Sequence, residues 1–104
     1  GNGNLHVQPF LNLKDAGDRE KVFAIADEVY HEVIRRRGAI SGEHNDGLMR
    51  SPYLQSQFGE PLYKLFEEVK RIWDPQNIFN PHKKVGVSLD FIKALVRSDY
   101  VIKI

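Results

Sequence analysis

The apolar positions of this chain fall into stretches of different period, and each period predicts an element. Between Asp18 and Arg37, the residues Val22, Ile25, Ala26, Val29, Val33 and Ile34 recur three and four apart, which places them on one stripe of a long α-helix. Arg35-Arg36-Arg37 followed by Gly38 supplies the cationic last turn and the left-handed stop that a helix end favours. A second helix is predicted from Pro61, with Leu62, Leu65, Phe66, Val69, Ile72 and Trp73 on one face. It must end near Asp74, because the residue before Pro75 is pushed out of helical geometry. Ser51-Pro52 has the form of a helix start, and Gly59 stops that short helix. Phe58, Tyr63, Phe66 and Trp73 stand at helical spacing and are expected in the core.

Two stretches read as strands. Residues 5–13 are rich in Leu, Val and Phe between Gly and Asp, and Pro9 places that strand near an edge. Ala39 to Gly42 forms a second, short strand candidate that runs into the polar loop Glu43-His44-Asn45-Asp46-Gly47. The tail from His82 is basic, and its helical candidate is Leu89 to Val96. Helices plus strands predict an α+β fold, although two strands make too small a sheet to stand alone.

Composition narrows the class. With 104 residues the chain makes a single small domain, and its 41% hydrophobic and 28% charged content is that of a folded globule. Fifteen Lys+Arg against fourteen Asp+Glu leave a net charge of +1, which argues against nucleic acid or an acidic membrane as the main partner. Cysteine is absent, so this chain forms no disulfide and no thiolate metal site. No apolar run reaches the ~18 residues of a membrane span, and the start lacks a signal-peptide layout, so a cytoplasmic chain is expected. A chain of this size buries roughly 60–65% of its unfolded surface, which suits one modest core but is thin for a whole enzyme with a large cofactor. It is a small binding domain or a part of something larger.

The candidate chemistry gathers in few places. Gly1-Asn2-Gly3-Asn4 precedes a strand and lacks a third glycine, so it fails as a dinucleotide motif and reads as a tight turn. His6 with Glu43-His44 is sharper: two imidazoles and a carboxylate suit a divalent metal, and a neutral imidazole beside one is a good general base. The bland alternative is a packed histidine and a solvated turn. His31 and His82 carry only that alternative, and the arginine triplet reads as a helix-dipole feature.

Three strings then act together: Gly-Asn-Gly-Asn-Leu-His at 1–6, Gly-Ala-Ile-Ser-Gly-Glu-His-Asn-Asp-Gly at 38–47, and Asp-Pro-Gln-Asn-Ile-Phe-Asn-Pro-His-Lys at 74–83. In this order they resemble the C-terminal part of FAD-linked oxidases of the vanillyl-alcohol oxidase type, a group with glycolate oxidase subunits, D-lactate dehydrogenases and D-2-hydroxyglutarate dehydrogenases. The resemblance covers residues 1–87 and implies a C-terminal fragment of a ferredoxin-like cap (substrate) domain, with two main helices on a small antiparallel sheet. It implies a further histidine two residues before Gly1, so that the chain begins inside a motif.

By resemblance, His6 and Glu43 are metal ligands for zinc or manganese, and His44 is the base that takes the substrate hydroxyl proton while hydride passes to FAD. Asn4 and Gln8 fall on the substrate side, and Asn80 and Lys83 match a segment beside the flavin. The implied reaction is oxidation of a D-2-hydroxyacid to the keto acid, with the rest of the polypeptide binding most of the FAD. The isolated fragment is then expected to bind neither FAD nor substrate tightly and to have no turnover. Asn2, Asn45 and His82 depart from the usual Asp, Gly and Gly of relatives. The form Glu-His-Asn-Asp-Gly and the continuation past Lys83 resemble long proteins fused to an iron–sulfur domain, so residues 88–104 are expected to be a linker toward a following domain. An electron-transfer partner at the membrane is compatible with this picture. The competing reading is a standalone metal-binding or protein-interaction domain without catalysis.

Overall fold

A computed structural model describes residues 3–99; Gly1, Asn2 and the apolar end from Tyr100 lie outside the described residues. The long helix α1 (Ala16–Arg35) begins where Asp15 accepts a 2.9 Å hydrogen bond from the Asp18 N–H, meeting one of the free donors of the first turn. At its other end the Arg37 N–H donates to the Ile34 carbonyl and the Gly38 N–H to the Val33 carbonyl, both at 2.9 Å. That pairing is a Schellman closure, and its left-handed residue is Arg37 (φ 60°) in place of the expected Gly38. Arg35 and Arg36 both bind the Glu32 carboxylate, at 2.7 and 2.5 Å, and hold its pKa down at about 2. Two of the three arginines are thus spent on their own helix.

Next come the single turn α2 (Gly47–Arg50), a 3₁₀ turn at Ser51–Tyr53, and α3 (Leu54–Phe58). Gly59, at φ 79° and ψ 157°, ends α3 and starts α4 (Glu60–Trp73), a conformation that side chains beyond hydrogen rarely adopt. The helix starting at Pro61 and ending before Asp74 is therefore found within one residue of its expected limits. A last helix, α5 (Leu89–Leu95), is capped by the Ser88 hydroxyl, which accepts from the Phe91 N–H at 3.2 Å.

The core is small and sits where α1 meets the 3₁₀ turn and α3. Ile40, Tyr53 and Leu54 are its buried centre, with Tyr30, Val33, Ile34, Tyr63 and Leu89 packed around them. The Tyr30 and Tyr53 rings meet edge to face at 4.9 Å, the arrangement that aromatic quadrupoles favour.

Two expectations are corrected. Among the described residues there is no strand, so the antiparallel sheet of the expected α+β fold is absent and the fold is helical with irregular connections. A strand exists only through a ladder of backbone hydrogen bonds with a neighbour. Residues 5–12 adopt no regular element and leave Leu5, Val7 and Phe10 exposed, and the Ile40 N–H donates to the Gln57 side chain at 3.0 Å where a ladder partner would be needed. The second correction concerns α4. Its apolar face is real, but Trp73 is 81% exposed and Phe58 42%, so neither is core. Leu65, Val69 and Ile72 are exposed beside them. Periodicity reports that a helix has an apolar face; it does not report that the covering surface lies in the same stretch of sequence. The total accessible area of 8188 Å² agrees, since a free-standing globule of 12.0 kDa exposes roughly 6000 Å².

Candidate active site

The segment before α1 carries Asn4 and His6, and the loop between α1 and α2 carries Glu43 and His44. These four residues meet. The His6 Nε2 atom lies 2.7 Å from Glu43 Oε1, the Asn4 amide donates to the same oxygen at 3.2 Å, and His44 Nε2 stands 3.7 Å from it. The two histidine rings face each other edge-on with centroids 5.2 Å apart. Gly42 makes the approach possible: a Cβ there would lie 2.7 Å from the Asn4 Cβ, closer than two carbon atoms pack.

The hydrogen bond from Asn4, then the one with His6, holds the Glu43 carboxyl below the usual carboxylate range, so Glu43 is ionised near neutral pH. One donor atom each from His6, Glu43 and His44 lies within 4.8 Å of the others. This nitrogen and oxygen set fits a divalent cation such as zinc or manganese. Side-chain exposures of 49% for His6 and 64% for His44 leave the cluster open to solvent.

The second half of the site is the turn after α4. Asp74 is buried and accepts from the Ile78 N–H at 2.8 Å and the Phe79 N–H at 2.9 Å. Lys70 donates both to Asp74 and, at 2.5 Å, to the Phe79 carbonyl. The Lys70 ammonium, followed by the two backbone N–H groups, keeps the Asp74 carboxyl below its ordinary range. This knot fixes the path into Asn80, which has φ 46°. A groove of about 810 Å³ brings His44, Asn80 and Lys83 onto one surface with Phe66 and Val69. Gln8 does not join it; it is exposed on the segment before α1, two residues past His6.

Reading the residues alone missed Asp46 and Lys84. Asp46 precedes α2 in the position of a helix cap, yet its side chain caps nothing and instead pairs with Lys84. A buried acid in a polar loop leaves no mark in sequence, because its partner lies thirty-eight residues away.

Residues 1–84 match the family described as FAD linked oxidases, C-terminal domain, and the chain belongs to that family. Among its relatives, the glycolate oxidase subunit GlcD of Bacillus subtilis is 32% identical over 83 residues, 80% of this chain and 18% of that protein. The D-lactate dehydrogenase of Anaerostipes hadrus is 37% identical over 84 residues, again 80% of this chain and 18% of that protein. The D-2-hydroxyglutarate dehydrogenase of Pseudomonas putida is 42% identical over 81 residues, 78% of this chain and 8% of that protein. The chain thus spans less than a fifth of the length of these relatives. No solved structure matches it. Among the described residues no helix is long and apolar enough to cross a membrane.

Proposed function

We propose that this chain is the substrate-side piece of an FAD-dependent oxidoreductase that converts a D-2-hydroxyacid of the lactate, glycolate or 2-hydroxyglutarate class into the 2-keto acid. The observation that carries the reading is the convergence of His6, Glu43 and His44 from two separate segments onto one open face, in a chain of the FAD linked oxidase family. His6 and Glu43 hold the divalent cation. His44, across from them, accepts the substrate hydroxyl proton on a ring nitrogen, the general-base role that imidazole takes most often. A bound cation would supply the Lewis acid for the hydroxyl and FAD the acceptor for the hydride of the same carbon, so that one proton and one hydride would leave as the C=O bond forms.

Asn4 orients the Glu43 carboxylate through its amide, which keeps one carboxylate oxygen directed toward His6. Asn80 and Lys83 lie on the groove that extends from His44; the reading gives them to the flavin and gives Gln8 to the substrate. The rest of the polypeptide supplies the FAD-binding domain and covers the apolar face of α4.

The test is turnover of the full-length protein with a panel of D-2-hydroxyacids and an artificial electron acceptor, with and without a chelator. Oxidation of one panel member that is lost on chelation and restored by zinc or manganese supports the reading. Stable folding with no oxidation of any member favours the competing one, a metal-binding or interaction domain without catalysis.

A further inference from the structure

Two loops form the face that carries His44, and the Lys84 side chain ties them together. The Lys84 ammonium donates to Asn45 Oδ1 and to the Asp46 carboxylate, and its backbone N–H donates to Ser51 Oγ at 2.8 Å. Ser51 is 1% exposed and anchors in turn on the Gly47 carbonyl. On the other loop, the Asn45 carbonyl accepts from the Ser41 hydroxyl and from Arg50, both at 2.9 Å, and Asn45 Oδ1 also accepts from the Asp46 N–H at 2.9 Å. The loop holding Glu43 and His44 is therefore closed on itself by Ser41 and fastened to the 80–85 segment by Lys84.

Both ends of this fastening are backbone positions that side-chain-bearing residues avoid: Asn45 has φ 59° and Lys84 φ 71°. Such conformations persist where surrounding contacts over-determine them. Asp46 is buried, so its negative charge needs a partner, and Lys84 supplies one while reaching across thirty-eight residues of sequence.

We propose that Lys84 is a positioning residue: by bridging Asn45 and Asp46 it fixes the His44 loop relative to the Asn80–Lys83 segment, and so sets the base against the substrate hydroxyl. It acts through the loop it holds, its ammonium being taken up by Asn45 and Asp46. The inference deepens the proposed hydroxyacid oxidation and rests on it for its kinetic half, whereas its structural half stands on the loop alone.

The experiment compares the full-length protein with its K84M and K84R variants by peptide-level hydrogen exchange and by steady-state kinetics. K84M is expected to raise exchange at residues 43–47 without global loosening, and to lower kcat at least tenfold at a KM within about twofold, since small misplacement of a catalytic group is costly. K84R, which keeps a cation for Asp46, restores protection and most of kcat. Unchanged exchange at 43–47 in K84M overturns the proposal whatever the activity. Raised exchange with parental kcat overturns the positioning role. If K84M loosens globally, recovery of both local protection and kcat in K84R supports the clamp, and recovery of the fold without kcat overturns it. A parent protein that oxidises no 2-hydroxyacid refutes the functional reading, and exchange then decides for or against the clamp alone.

Discussion

His6 Nε2 lies 2.7 Å from Glu43 Oε1, although thirty-seven positions separate the two residues. Such a pair is a weak surface contact if it acts alone, because exposed ion pairs contribute little. As two ligands of one cation it has a different worth. Glu43→Gln and His6→Ala in the full-length protein are each expected to weaken manganese binding at least tenfold, read by calorimetric titration; affinity equal to the parent's in both variants removes them from the metal site.

Gly42 gives a test of the backbone beneath that pair. A methyl group at this position meets the Asn4 Cβ at 2.7 Å, and that atom cannot swing away as the tip of a long side chain does. Gly42→Ala should displace Asn4 and His6 from Glu43 and lower manganese affinity about as much as the ligand variants do. Parental affinity in Gly42→Ala would mean that the close approach is not needed.

The Asp74 knot predicts an acid limb in stability. Its folded pKa is lowered from the ordinary 3.8, chiefly by Lys70, so the stabilisation is fully present above the unfolded value and is lost as pH falls through the folded one. Urea midpoints of the chain, followed through the fluorescence of its single tryptophan, Trp73, should separate parent from Asp74→Asn at neutral pH and converge below about pH 3.8. A constant separation down to the lowest pH contradicts the knot.

Leu54 and Ile72 oppose each other as controls for the core. Leu54 is 1% exposed, and Leu54→Ala should cost about 2–5 kcal/mol in urea unfolding of the chain. Ile72 is 65% exposed, so Ile72→Ala should cost the chain less than about 0.5 kcal/mol. Equal costs would move the core to α4.

Much of this was legible in the residues because local chemistry marked it. Pro61 and the Asp74-Pro75 pair delimit α4 through backbone geometry alone, and the order of the three motifs brought His6, Glu43 and His44 into one hypothesis before any contact was known. The illegible parts are those in which a partner is distant. Leu5, Val7 and Phe10 have strand-forming side chains, yet a strand is made by its neighbour, and none is present among the described residues. Trp73 sits on an apolar stripe that sequence cannot tell from a buried one. Lys84 looked like one basic residue in a basic tail, because Asp46, the acid that gives it a task, lies in another loop.

His44, proposed as the proton acceptor, stands beside His6 and Glu43. Replacing His44 with Ala in the full-length protein and measuring kcat on its best D-2-hydroxyacid tests this most directly. At least a hundredfold loss is expected, with cation binding weakened far less, in keeping with the usual worth of a general base. Turnover near that of the parent would contradict it.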